Sequence, residues 1–129
     1  MAAAKSFRDL DVYKKALREA RRVFEMSKTF PAEECFALTD QIRRSSRAVG
    51  AMIAEAWARR RYPAAFVNKL NEAQAEATET QSWLDHARMC DYIDQEEYAH
   101  LDEQWQHIGG KLYRMIENAD SFCPPSTKP

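Results

Sequence analysis

Apolar residues recur at alternating spacings of three and four through four long segments of this chain, and the rhythm breaks only three times. Such spacing lines side chains along one face of an α-helix. Four such segments within 129 residues leave space for little else. Glycine (3) and proline (5) are too scarce for a β-sandwich, which needs turn residues about every ten positions. Hydrophobic residues at 45% and charged residues at 30% supply a core and argue against disorder, and the length suits one domain.

The first segment runs from about Asp9 to Ser27, with Tyr13, Ala16, Leu17, Ala20, Phe24 and Ser27 on its stripe and Asp9 as the expected N-cap. Phe30-Pro31 ends it, because the residue before proline is pushed out of the α region. The second spans about Ala32 to Arg61, roughly 40 Å at helical rise, on a stripe of Leu38, Ile42, Ser45, Val49, Met52 and Ala56 widened by Ile53. Tyr62-Pro63 closes it, and Pro63 suits the first position of the next helix. There Phe66, Leu70, Ala73, Ala77, Thr80, Leu84 and Ala87 line up as far as about Cys90. Asp94-Gln95-Glu96-Glu97 opens the fourth helix as a capping box, with Ile93 and Tyr98 spaced as a hydrophobic staple. Its stripe is Tyr98, Leu101, Trp105, Ile108, Leu112 and Met115.

Regular seams and short connections predict an all-α, antiparallel up-down-up-down four-helix bundle over residues 9–118. Residues 1–8 form an N-terminal segment, and residues 119–129, rich in proline at their end, are expected to be a disordered tail. No apolar run approaches the length of a membrane span, and Met1-Ala2-Ala3-Ala4-Lys5 lacks a signal-peptide core. Cys35, Cys90 and Cys123 make no CxxC pair, which suits inert thiols in a reducing, cytoplasmic setting.

Catalytic chemistry finds little to work with. A di-metal bundle site needs two Glu-x-x-His motifs and two further glutamates, whereas the chain has one, Glu97-Tyr98-Ala99-His100, at a helix end. His86 and Cys90 share a helix face without a third ligand, and His107 falls on an outward face. No serine, histidine and acid come together, and Gly109-Gly110 lies within a helix rather than in a phosphate-binding loop. Close approach of another helix, or a bend, is the expected reason for these two glycines. No cofactor, metal, small-molecule substrate or enzymatic activity is expected.

Interaction surfaces are better represented. Glu72, Glu76, Glu79, Trp83, His86 and Cys90 make a second stripe beside the core stripe of the third helix. Glu55 on the second helix pairs either with Glu79, as a carboxylate site, or with arginines such as Arg44, locally or across a subunit contact. Trp57 and Trp83 sit off the seams, and Ala48, Gly50 and Ala51 flank the second helix, as at a subunit interface. The candidate interface is therefore Trp57, Trp83, Glu55, Glu76, Glu79 and Arg44. Lys14, Lys15, Arg18, Arg21 and Arg22 share the polar face of the first helix. Arg43, Arg44 and Arg47, then Arg59, Arg60 and Arg61, extend the basic set on the second. These are the candidate contacts to RNA or DNA phosphates, diluted by Asp11, Glu19 and Glu25. The formal net charge of −1 conceals a division: residues 1–62 carry 14 Lys+Arg against 8 Asp+Glu, and residues 63–129 carry 5 against 12.

Phe7-Arg8-Asp9-Leu10-Asp11-Val12-Tyr13, Phe30-Pro31, Leu38-Thr39-Asp40-Gln41-Ile42-Arg43-Arg44-Ser45 and Ile53-Ala54-Glu55-Ala56 occur in an order that resembles the 23S rRNA intervening-sequence proteins. Phe66, Leu70, Ala73, Glu79 and Leu84 continue the likeness, which covers about residues 7–117. Met52, Ala56 and Ala75-Glu76 stand where that family usually has Asn, Gly and Gly-Ser. The resemblance implies a cytosolic bacterial bundle that forms a homopentamer and has no established catalytic activity. It also extends to accessory variability proteins of diversity-generating retroelements, basic pentameric barrels that bind nucleic acid and a reverse transcriptase.

Overall fold

The computed structural model describes residues 3–125. Among them are four α-helices and three 3-10 turns, with no strand. Helix α1 is Asp11–Ser27, α2 Leu38–Ala58, α3 Pro63–Met89 and α4 Gln95–Glu117. Packing is most extensive between α2 and α3, then α3 and α4; α1 lies on α2 and, more lightly, on α4. Every helix thus neighbours the next in sequence, and α1 meets α4 to close the up-down bundle. No described helix is long and apolar enough to cross a membrane.

The stripe of α3 is buried residue for residue: Phe66, Leu70, Ala73, Ala77, Thr80, Leu84 and Ala87. On α4, Leu101, Trp105, Ile108, Leu112 and Met115 are buried, while Tyr98 is half-buried. Its hydroxyl donates to Asp85 Oδ1 on α3 at 2.6 Å, and that bond pushes the phenol up to about 12. On α2 the seam is as expected except that Met52 is half-buried and Thr39, Ser46 and Gly50 are also inside. Ser45 and Thr80 hydroxyls meet at 2.9 Å between α2 and α3. Fully burying a large apolar side chain such as Phe66 or Ile42 contributes about 1.5–3 kcal/mol, an upper figure for a compact unfolded state.

Helix α1 departs from the expected phase. Its buried residues are Val12, Ala16, Glu19, Ala20, Val23, Met26 and Ser27. Leu17, assigned to the stripe, is 58% exposed, and Tyr13 and Phe24 are half-buried. The inner face is rotated by about one residue from the apolar stripe, and Glu19, a carboxylate, occupies one of its heptad positions. Glu19 is 2% exposed, so it does not dilute the basic outer surface as the sequence suggests.

The helix ends also differ. Asp9 is not the α1 N-cap but completes a capping box on the 3-10 turn Phe7–Asp9, accepting from Lys5 and Ser6 backbone N–H groups. Ala32–Glu34 forms a 3-10 turn, and α2 starts only at Leu38, giving about 31 Å rather than 40 Å. Glu34 Oε1 accepts from Leu38 N–H at 3.3 Å, while Oε2 accepts from Tyr92 at 2.8 Å, joining that start to the α3–α4 turn. Pro63 opens α3 as expected. α3 ends with Asp91 at φ 60°, where Tyr92 N–H reaches Ala87 O and Asp91 N–H reaches Arg88 O, the pairing that closes a helix through a left-handed residue. Asp94 caps α4 by accepting from Glu97 N–H at 2.8 Å.

The expected tail is shorter than residues 119–129. Ala119–Ser121 makes a 3-10 turn, Phe122 stacks on Phe66 at 6.0 Å, and Cys123 is buried. Two apolar side chains here have core to cover, which holds the chain on the bundle. Residues 126–129 lie outside the described residues.

Candidate interaction surfaces

The acidic flank lies along α2 and α3, whose antiparallel register brings Glu55 beside Lys69. Lys69 Nζ is 3.1 Å from Glu55 Oε2 and 3.0 Å from Glu72 Oε2, and those bonds, Glu72 first, raise the ammonium above its ordinary value. Lysine, not Arg44, therefore answers Glu55 within the chain, and Glu55 is not drawn to Glu79. One turn on, burial first and the Glu79 charge second push the Glu76 carboxyl upward. Glu79 Oε2 accepts from Trp83 Nε1 at 3.4 Å, and the Trp83 ring lies 5.3 Å from that of His86. Among the described residues, neither Glu76 nor Glu79 has a cation within ion-pair distance, and Arg44 has no carboxylate.

The basic residues divide into three groups rather than one face. Toward α4, Lys15 Nζ donates to Gln104 Oε1 at 2.7 Å and Arg22 pairs with His100 Nε2 at 3.0 Å. Arg18, Arg21, Arg22 and His100 line an open hollow of about 380 Å³ there, together with Glu25 and Glu97. Lys14 is exposed at the outer surface of α1. Toward α2, three cations surround one ring: Lys28 Nζ lies 4.8 Å, Arg43 Cζ 4.7 Å and Arg47 Cζ 5.2 Å from the Phe24 centroid. Arg43 Nε also donates to Ser27 Oγ at 2.8 Å, which fixes its guanidinium. At the far end, Arg60 lies flat on Trp57, 3.5 Å from the ring centroid, with exposed Arg59 and Arg61 beside it.

Trp57 and Trp83 are both half-buried against the core, so each is partly committed within the chain. Gly50 is buried against Tyr13 of α1, where a Cβ would meet Cε1 at 3.6 Å, an ordinary van der Waals contact that does not by itself require glycine. At Gly109 a Cβ would meet nothing within 4 Å, so close approach within the chain does not explain Gly109-Gly110. Gln74 Nε2 donates to Gly109 O at 3.4 Å across an open hollow of about 300 Å³. No cluster of three or more His, Cys, Asp or Glu suited to a metal occurs among the described residues. His100 is committed to Arg22, and His107 is 3.9 Å from Glu103 at the surface.

Three groups escape sequence reasoning. The Phe24 cluster joins residues 24, 28, 43 and 47; the i,i+4 spacings of Phe24 with Lys28 and of Arg43 with Arg47 are visible along the chain, but not the meeting of the two pairs. Glu34 lies in a connection without helical period. Glu19 leaves a trace, since Val12, Ala16, Glu19, Val23 and Met26 keep the three-four spacing once a carboxylate is allowed among them.

Helix order, seams and connections define an all-α protein of the up-down four-helix-bundle class. The chain matches the 23S rRNA-intervening sequence protein family over residues 8–114 and belongs to it. A crystal structure of a protein of unknown function from the S23 ribosomal protein family of Bacteroides thetaiotaomicron is similar, with a TM-score of 0.75 and 34% identity. The match covers 82% of this chain and 95% of that one. No curated protein matches the chain.

Proposed function

We propose that this chain is a non-enzymatic cytoplasmic protein that assembles with copies of itself, five in number, a count that rests on the family resemblance. The observation that carries this reading is charge left unanswered inside one chain. Glu76 and Glu79 face no cation, and Arg43, Arg44 and Arg47 face no carboxylate, among the described residues. A second copy supplies the missing partners, orienting the contact more than tightening it. Apolar side chains add to this: Phe36 at 94% and Met89 at 84% exposure stand at the same end of the α2–α3 pair. Multi-angle light scattering over a range of concentrations tests the reading. A particle of several chains is expected, and the mass of a single chain at every concentration overturns it.

A second reading, a nucleic-acid-binding accessory protein, is favoured by the Phe24 cluster. Lys28, Arg43 and Arg47 are held on one ring, and only Lys28 has an acidic partner, Glu25 at 3.2 Å. Two guanidinium groups over one ring, Arg43 fixed by Ser27 and neither facing a carboxylate among the described residues, suit phosphate oxygens. Retention of structured RNA is expected to fall steeply as salt rises and to be lost when Arg43 and Arg47 are both changed to Glu. No retention at low salt overturns it.

A further inference from the structure

The turn between α2 and α3 and the segment after α4 border an open hollow of about 1030 Å³. Trp57, Arg60, Arg61, Tyr62 and Phe122 line it, and among the described residues no carboxylate does. The Arg60 guanidinium lies 3.5 Å from the Trp57 ring centroid, and its Nε donates to Trp57 O at 2.9 Å. A flat cation is thereby pinned on a flat ring. Tyr62, at the mouth, is 63% exposed and stacks on no other ring among the described residues. Arg59, Arg60 and Arg61 have no ion-pair partner there either.

The chemistry of the lining narrows the ligand. Arginines at the end of α2 complement its dipole, but that accounts for the charge and not for the rings. An apolar ligand gains nothing from unpaired guanidinium groups, a metal cation is repelled by them, and an isolated phosphate has no use for Tyr62. A planar base joined to a phosphate uses both kinds of group. We propose that this hollow binds an unpaired nucleotide of a single-stranded nucleic acid. The base stacks on Tyr62 beside the Arg60–Trp57 pair, and Arg59 and Arg61 meet the flanking phosphates. The proposal rests on the nucleic-acid reading and adds strand selectivity to it. Paired bases in a duplex are already stacked and cannot enter.

Fluorescence anisotropy of a short labelled oligouridine and of a labelled RNA duplex at low salt tests the site. Tyr62→Ala, at an exposed position that leaves the core intact, is expected to weaken oligouridine binding about tenfold and to leave duplex binding unchanged. Tyr62→Phe is expected to bind both as the parent does, because the ring remains. The site is overturned if Tyr62→Ala binds oligouridine as tightly as the parent, or loses strand and duplex equally. If oligouridine binding is insensitive to Tyr62 but falls on combined Arg43→Glu and Arg47→Glu substitution, this site fails and the broader reading stands. If the parent binds neither probe, both fail.

Discussion

Glu19 sits on the inner face of α1 with Oε2 3.5 Å from Arg22 and with Oε1 lacking any hydrogen-bond donor. Trp105 Nε1, also buried, lacks an acceptor. A half-answered carboxylate inside a bundle is a cost, because it gives up water for one partially exposed guanidinium. Glu19→Met keeps the length of the side chain and removes the charge. It is expected to raise stability at neutral pH by about 1 kcal/mol or more, measured as a higher denaturant midpoint at unchanged slope. A lower midpoint would show that Oε1 is well satisfied in the folded protein. The same residue explains why the α1 stripe was misphased from sequence: a rule that asks for apolar residues passes over Glu19 and settles on Tyr13, Leu17 and Phe24 instead. On α3, where only small, apolar or hydroxyl residues occupy the seam, the rule fails nowhere.

Element boundaries were legible where a residue carries its own punctuation. Pro63 and Asp94 fix the starts of α3 and α4 through restricted φ and through a side-chain cap. The start of α2 was not legible, because the chain breaks at Ala37, which nothing local requires, and Glu34 compensates through contacts to Leu38 and Tyr92. Gly109-Gly110 is a different case, since the glycines were visible but their reason was not. Within one chain, Gly109→Ala fills open space and removes a backbone-entropy cost, so it is expected to stabilise the isolated bundle by about 0.5–1 kcal/mol in chemical denaturation. Should the same change reduce the size of the proposed assembly, the glycines serve a neighbouring copy.

At the scale of the whole molecule, the architecture was legible because every seam but the closing one between α1 and α4 joins sequence neighbours, and each stripe has one consistent period. The interaction surfaces were legible only as residue types. Helical angles place Lys15, Arg22 and Phe24 on α1, but the neighbour each one meets depends on how α1 settles between α2 and α4. The imbalance between a basic first half and an acidic second half survives folding: among the described residues, Arg43, Arg44 and Arg47 have no carboxylate and Glu76 and Glu79 no cation within ion-pair distance. Under the proposed self-assembly, changing Glu76 and Glu79 together to Lys is therefore expected to give a smaller particle in low-salt sedimentation. The effect should be much smaller near 1 M salt, where screening acts over about 3 Å. An unchanged particle at low salt would remove these acids from the contact.

The seam between α1 and α4 is the only one in the bundle that joins distant parts of the chain. During synthesis α1, α2 and α3 emerge in an order that lets each dock on its predecessor. Val23, Glu19 and the rest of the inner face of α1 must wait for α4 before their enclosure is complete. Until α4 docks, α1 therefore has one flank without a partner, the side on which Lys15 and Arg22 meet Gln104 and His100 in the folded protein.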